Sequence, residues 1–314
     1  MHRISLNFIV EEFDLALQFH AACFKSSTQF KIGIVKTRQQ TISSIHNKAA
    51  MKSNLSPVNG VLHQQQSAPN YQLRRYFPCT ELKGLVEQFW FVDWCLPDNK
   101  AHTQRNLPDP NFHLLLSTDE IKIIGPVSKV YDYTMHGKGQ ILGVKFRVGA
   151  LVEQFDITPL ACVDKTFSLE HLCDVPSSSL ISSLTTASDD AERVTVLSQF
   201  LMPFALPLST GAAMAEDILN TLQDHSDIFT VEQLAEHCDM PIRKIQRLCQ
   251  HYIGFSPKWL IRKYRLHQAL ALLESDAITM ADIVAQLDYT DQSHLIRDFK
   301  EIIGTTPNRY LKRP

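Results

Sequence analysis

At 314 residues the chain has room for about two domains. Its 44% hydrophobic content supplies a sizeable core, and a formal net charge of −2 excludes a uniformly basic nucleic-acid coat, so any electrostatic footprint must be local. No apolar run approaches the ~20 residues of a membrane helix, and the seven scattered cysteines, with no CxxC pair, read as neither a disulfide framework nor a zinc site; a reducing cytoplasm is the expected compartment.

In chain order, the first stretch carries no secretory pattern, because Glu11, Glu12 and Asp14 interrupt its early apolar residues. Residues 1–70 are poorly patterned, and a second candidate start at Met51 opens a polar stretch rich in Gln and Ser. The expectation is that this region is disordered or lies upstream of the natural start. From 74 to 155 the texture is β. Gln88-Phe89-Trp90-Phe91-Val92-Asp93-Trp94, His113-Leu114-Leu115-Leu116, Ile121-Lys122-Ile123-Ile124 and Ile141-Leu142-Gly143-Val144-Lys145-Phe146 are each bounded by turn residues. A short helical turn over 82–86 precedes them. Strands so spaced predict an antiparallel sandwich or barrel. Gly137, Gly139 and Gly143 open no helix, so they read as a hairpin turn and not as a phosphate loop.

After Gly149 the pattern turns helical, over 150–155, 177–184 and 191–204. Pro203, Pro207 and Gly211 punctuate a linker, and a helix over 213–225 opens the C-terminal part. Thr230 with Gln233 forms a capping box, Thr279 caps the helix that contains Ile283 and Leu287, and Ser256-Pro257 and Thr306-Pro307 each set a capping hydroxyl before a proline at the first helical position. Residues 256–274 read as one amphipathic helix of about 28 Å at 1.5 Å per residue.

The last hundred residues use one phrase twice, at an offset of about 50 residues. Leu234 through Asp239 and Arg247 to Gly254 and Pro257 is matched by Ile283 through Asp288 and Arg297 to Gly304 and Pro307. The phrase reads helix, tight turn, helix. In the first copy Ile245, Leu248, Cys249 and Ile253 form the buried stripe, which leaves Arg243, Lys244, Gln246 and Arg247 outside. In the second, Leu295, Phe299 and Ile302 are buried, and Gln292, Ser293, His294 and Arg297 are outside. Arg and Lys pair with guanine edges or phosphates, Gln with adenine, and Ser with several acceptors. From Pro241 onward Lys and Arg exceed Asp and Glu by 12 to 7, whereas residues 211–240 hold no Lys or Arg. The bland alternative is a helical bundle whose basic face is merely solvated; two copies with matching turn, Arg, Gly and Pro landmarks weigh against it.

Residues 212–314 resemble the DNA-binding domain of the AraC/XylS family of bacterial transcription regulators. The second copy, from Ala281-Asp282-Ile283-Val284 through Tyr289-Thr290-Asp291-Gln292-Ser293-His294-Leu295 to Gly304-Thr305-Thr306-Pro307, carries the resemblance most strongly. It implies groove contacts from Arg243, Gln246 and Arg247 and from Gln292, Ser293, His294 and Arg297. It also implies activation through RNA polymerase in preference to repression. The chain departs from the family at both turns, where Asp239 and Asp288 replace glycine at some cost in stability. Pro241 replaces a capping Ser and Cys249 replaces a buried aromatic, whereas the second turn, one residue longer than the first, matches the family's own asymmetry.

Residues 74–175 are similar to a β-rich N-terminal domain found in some members and often without an assigned function, through Val86-Glu87-Gln88-Phe89-Trp90, Asn106-Leu107-Pro108-Asp109-Pro110, Ile124-Gly125-Pro126 and the stretch 143–150. The resemblance implies a domain that senses a small-molecule effector of unknown identity or mediates homodimerisation through 74–210. His113 and His136 lack a metal-like spacing, Cys238 and Cys249 occupy apolar helix positions, and no catalytic Ser-His-Asp or Cys-His set is assignable. The expected fold class is therefore α+β: a β-rich sensor-like domain over 74–175, a helical linker over 176–211, and an all-α domain over 212–314 with two helix-turn-helix units joined by a long helix. The expected function is a cytoplasmic regulator of transcription on double-stranded DNA, not an enzyme, with no cofactor, metal or membrane. A partner-binding adaptor, or an enzyme domain fused to a DNA-binding module, is the alternative.

Overall fold

The computed structural model describes residues 60–63, 67–117, 120–173, 175–274 and 279–312. The expectations for Met51 and for most of residues 1–70 fall outside them.

The N-terminal half is built on eight strands: β1 (Gln72–Tyr76), β2 (Val86–Cys95), β3 (Ala101–Asn106), β4 (His113–Leu116), β5 (Ile121–Ile124), β6 (Tyr131–His136), β7 (Lys138–Phe146) and β8 (Thr166–Ser168). Six form an antiparallel sheet in the order β1-β2-β7-β4-β5-β8, and β3 and β6 form a separate ribbon. The four strands expected from pattern, β2, β4, β5 and β7, are contiguous in the large sheet. β1, β3, β6 and the three-residue β8, which buries no residue fully, were not expected. The reason is physical: β1 buries no residue fully, and β3 and β6 bury one each, Gln104 and Met135, so none shows an apolar alternation. The helical turn expected over 82–86 is a 3-10 turn at Thr80–Leu82, and β2 begins at Val86.

β2 sorts its aromatics by face. Phe89 and Phe91 are fully buried in the core under the sheet, while Trp90 and Trp94 lie on the other side. Trp90 pairs in register with Gly143 and Trp94 with Gly139, and a Cβ on either glycine would run into the facing indole. This corrects the expected hairpin role. Only Gly137, at φ 50°, makes the turn between β6 and β7, and Gly139 and Gly143 lie inside β7 as seats for the two indoles.

The helices α1 (Ala150–Phe155) and α2 (Pro159–Cys162) follow the sheet. Then α3 (Ser177–Thr186) and α4 (Asp190–Leu201) place Leu180, Leu184, Val194, Leu197 and Leu201 in the same core as Phe89, Phe91 and Val144. Tyr76 donates to Asp190 over 2.6 Å, and Arg74 pairs with the same carboxylate, fastening α4 to the edge strand. Residues 177–201 are thus part of the N-terminal core rather than a free tether.

The C-terminal half comprises α5 (Thr210–Asp224), α6 (Val231–His237), α7 (Ile242–Leu248), α8 (Pro257–Glu274), α9 (Met280–Gln286), α10 (Gln292–Ile303) and α11 (Pro307–Leu311). The capping signals operate as expected. Thr230 and Gln233 form a capping box, as do Thr279 and Asp282, and the hydroxyls of Ser256 and Thr306 accept from the amides of Trp259 and Arg309. Asp239 and Asp288 both take the left-handed conformation, at φ 48° and 52°, and Gly254 and Gly304 do the same at the ends of the second helices. The loop from α6 to α7 covers four residues and that from α9 to α10 five, which is the expected extra residue.

Each unit has its own core. The first gathers Ile218, Leu222, Leu234, Ile245, Leu248, Cys249, Ile253 and Leu260; the second gathers Leu266, Leu270, Ile283, Leu295, Phe299, Ile302 and Tyr310. The bar helix α8 feeds both, through its first turns and its last. The second core also takes Leu62 and Leu107 from the N-terminal side. Further ties bind the halves together. Arg147 pairs with Glu216, Tyr252 donates to Glu153 over 2.9 Å, the Val130 amide donates to the Ile302 carbonyl over 2.9 Å, and the His63 ring stacks on Tyr310 at 4.1 Å.

A left-handed conformation costs an L-residue about 1–2 kcal/mol, less for Asp, and costs glycine nothing. Asp288→Gly is therefore expected to raise the unfolding free energy by about 0.5 kcal/mol, net of the added chain entropy of glycine. Urea denaturation of the two proteins side by side measures it.

Candidate nucleic-acid interface

The two second helices, α7 and α10, present the polar faces expected of them. Arg243, Gln246 and Arg247 are exposed and Lys244 is half-exposed on α7; Gln292, Ser293 and Arg297 are exposed on α10. Among the described residues, none of these seven side chains makes a hydrogen bond or ion pair within the chain, so their donors are unspent. His294 differs. Its ring meets Tyr289 edge-on at 5.1 Å, and its Nε2 lies 3.8 Å from Asp298. The same residue type at the expected position is partly committed to its own domain.

The copies also differ in their backbones. α10 begins at Asp291, whose carboxylate accepts from the His294 amide over 2.8 Å, and stays α-helical to Ile303. α7 begins at Pro241 with no side-chain cap, and after Leu248 it widens into a π-helical turn over Cys249–Ile253. Cys249 is fully buried there, and burial pushes its thiol up to about 12; burial also raises Cys238. Both thiols are thereby kept protonated, as packing residues are.

The residues that fix the two second helices relative to each other lie on α8, and pattern analysis did not single them out. Arg265 is 7% exposed, sits over the rings of Phe229 and Tyr289 at 5.1 and 4.9 Å, and donates to the Phe229 carbonyl over 2.8 Å. Phe229 directly precedes the cap of α6, and Tyr289 lies in the turn before α10, so one guanidinium joins both units. Arg262 pairs with Asp298 at 2.9 Å and Glu301 at 2.6 Å, both on α10. Asp298 is itself nearly enclosed, with 4% of its side chain exposed.

The opposite face of α8 closes a cleft of about 1200 Å³ against the N-terminal sheet. Trp90, His113, Lys145, Lys263, Tyr264 and His267 line it together with Asp109. Lys145 reaches Asp109 and Glu87, each at 3.2 Å, and His113 lies 3.6 Å from Asp109. Burial opposes the Asp109 charge, but Lys145 and His113 outweigh it and hold the carboxyl well below its ordinary range. Lys263 is 6% exposed, forms no ion pair among the described residues, and has its ammonium over the Tyr264 ring at 4.2 Å. Burial pulls it down to about 8, against the opposing effect of Asp109. Burial, with Lys263 next, pulls His267 down to about 3, and its Nε2 has no hydrogen-bond partner among the described residues. Asp109 falls in a stretch that the sequence marked only by family resemblance, and Lys145 in one marked only as a strand and by that resemblance. Nothing in the periodicity of α8 marked Lys263 as buried.

Comparison with known proteins places both halves. Residues 234–313 match a family model described as a helix-turn-helix domain, and residues 74–168 match a domain of unknown function, DUF6597. The chain is 30% identical over 105 residues to an uncharacterised HTH-type transcriptional regulator of Haemophilus influenzae, covering 32% of this chain and 35% of that protein. It is 32% identical over 89 residues to the F1 operon positive regulatory protein of Yersinia pestis, covering 28% and 30%. The chain thus spans about a third of the length of the curated relatives it matches. Among solved structures, ToxT from Vibrio cholerae aligns over 77% of this chain and 98% of its own, at 11% identity and a TM-score of 0.34.

Two outcomes are expected from the charges on α8. Arg262→Ala leaves the buried Asp298 carboxylate without its guanidinium, which should lower the unfolding free energy by about 3 kcal/mol. Arg262→Ala with Asp298→Asn should recover part of that loss, and a double-mutant cycle by urea denaturation reads both. Lys263→Met keeps the aliphatic stem and removes a charge whose folded value, about 8, lies below the ordinary 10.5. Below about pH 8 the folded wild type bears that charge at a cost on the order of 3 kcal/mol, so the variant should be the more stable by up to that amount. Between 8 and 10.5 the unfolded wild type stays protonated while the folded form does not, so wild-type stability rises with pH and the gap closes. Thermal melts from about pH 7 to 10 follow the closure.

Proposed function

We propose that this chain, a member of the AraC/XylS family with a helix-turn-helix domain behind a DUF6597-type domain, is a cytoplasmic, sequence-specific regulator of transcription that reads two successive major-groove segments of double-stranded DNA. The family is one of transcription regulators, not of enzymes. The observation that carries the proposal is a pair of second helices with unspent Arg, Lys, Gln and Ser donors, fastened to one bar by Arg262 and Arg265. The 18 residues of α8 extend about 27 Å, of the same order as one DNA turn of about 34 Å, so one rigid element can present both helices to one side of the duplex.

In this reading Arg243, Lys244, Gln246 and Arg247 serve the first groove, with the emphasis on phosphates. Gln292, Ser293 and Arg297 serve the second, with the emphasis on base edges, and His294 contributes through its exposed edge. Activation through RNA polymerase is favoured over repression, in line with the positive regulatory protein among the relatives. The N-terminal domain modulates the DNA-binding domain through the cleft on the far side of α8. A small-molecule effector seated there would touch the bar itself, and one with an anionic group would gain most, because the Lys263 charge has no ion-pair partner among the described residues.

Arg297→Ala and Gln292→Ala should each weaken binding to a cognate fragment about tenfold or more without changing the melting temperature. Wild-type affinity should drop on the order of a hundredfold between about 50 and 200 mM salt, through counterion release. Genome-wide mapping of bound DNA supplies the fragment, and gel shifts measure both effects. If both variants shift the fragment as well as the wild type does, α10 is not a reader.

A further inference from the structure

The stretch before the first reading helix is unlike the rest of the C-terminal domain. Residues 211–240 contain acidic side chains and no Lys or Arg. Within it His225 ends α5, Asp227 lies in the turn that follows, and His237 closes α6. All three side chains are exposed, and one ligand atom from each lies within 4.8 Å of the other two. The two imidazole rings are 4.7 Å apart between centroids. His237 Nδ1 is 2.9 Å from the Gln233 carbonyl. A proton on Nδ1 donates to that oxygen, which fixes the tautomer and leaves the Nε2 lone pair for an outside partner. Orientation of a ligating imidazole by a backbone carbonyl is a regular feature of metal sites.

We infer that His225, Asp227 and His237 bind a divalent transition ion of the zinc, cobalt or nickel class. Two imidazoles and a carboxylate suit that class better than calcium or magnesium, which prefer all-oxygen sets. Three protein ligands leave a fourth position for water. The surrounding carboxylates, with no cation in the same stretch, add a favourable field. The ion joins the C-terminus of α5 to the C-terminus of α6, next to the Asp239 turn that aims α7. It braces the first helix-turn-helix unit, whose reading helix has no side-chain cap and widens into the π-helical turn. The spacing, His-x-Asp followed ten residues later by His, matches no regular zinc motif, and this is why the sequence alone assigned no metal.

The full chain without an affinity tag, stripped with chelator and dialysed, is titrated with cobalt chloride and followed by visible absorption. The expected result is a tetrahedral cobalt band that saturates at one equivalent, is bleached by zinc, and is accompanied by a rise in melting temperature. His237→Ala and His225→Gln should each weaken uptake about tenfold or more, and Asp227→Asn should weaken it less. His225→Gln lies beyond the end of α5 and carries the test if His237→Ala fails to fold. Absence of a band in wild type, or equal uptake by wild type and a folded histidine variant, overturns the assignment.

Discussion

The arrangement of the C-terminal half depends on one buried guanidinium. Arg265 lies between Phe229 of the first unit and Tyr289 of the second and donates to the Phe229 carbonyl. Enclosing a cation without a carboxylate is costly, and the two aromatic faces with the carbonyl offset that cost only in this one geometry. A lysine would not substitute, because it has neither the plane to stack on two rings nor the fork to reach the carbonyl at the same time. The two second helices, α7 and α10, therefore have a fixed relation to each other through a contact that belongs to neither of them. Arg262, three residues earlier, secures α10 to the same bar through Asp298 and Glu301.

The same helix has a second working face. Arg262, Arg265, Leu266 and Ala269 recur at three- and four-residue spacing toward the two units. Lys263, Tyr264 and His267 form the opposite stripe and line the cleft under the N-terminal sheet. α8 is thus buried on both sides, and its polar residues divide between them, with guanidiniums toward the helix-turn-helix units and an ammonium and an imidazole toward the cleft. Both units lean on the N-terminal half. The second shares its core with Leu62 and Leu107, and the first shares its core with Val148 and is tied by Arg147 and Tyr252.

What the sequence made legible was local. The apolar stripes of both copies, the caps, the Asp residues in left-handed turns and the extra residue in the second turn could be read because each depends on neighbours within one or two turns of chain. The same holds for β2, β4, β5 and β7, where burial writes an aromatic or β-branched run into the sequence. β1, β3 and β6 carry no such record, because their ladders are satisfied by backbone and their side chains are largely wet. The two charges inside α8 misread in the other direction. Lys263 and Arg265, two residues apart and so on opposite sides of the helix, both read as solvated charges, yet both are nearly enclosed, since the N-terminal sheet closes over one side and the two helical units over the other. Only a partner distant in sequence decides whether such a face meets water. The reader positions on α7 and α10 were legible as exposed polar residues; the partial commitment of His294 to Tyr289 and Asp298 was not.

In the proposed function, these two faces limit how strongly a ligand in the cleft would act on DNA binding. A ligand shifts DNA affinity only by its differential affinity for the arrangements of α8 that read well and badly. One local reservoir for such a difference is the Lys263 charge, whose enclosure costs on the order of 3 kcal/mol. An anion that neutralised it in one arrangement and not in the other would have at most that much to distribute. That is enough for a coupling of about 1–3 kcal/mol, or a change in DNA affinity of roughly five- to a hundredfold. Such a ligand would modulate, and would not switch a population from about 1:99 to 99:1, which needs about 5.5 kcal/mol. A steeper response would have to draw on the wider contacts between the halves, where Leu62, His63 and Val130 rest on the second unit and would leave it together.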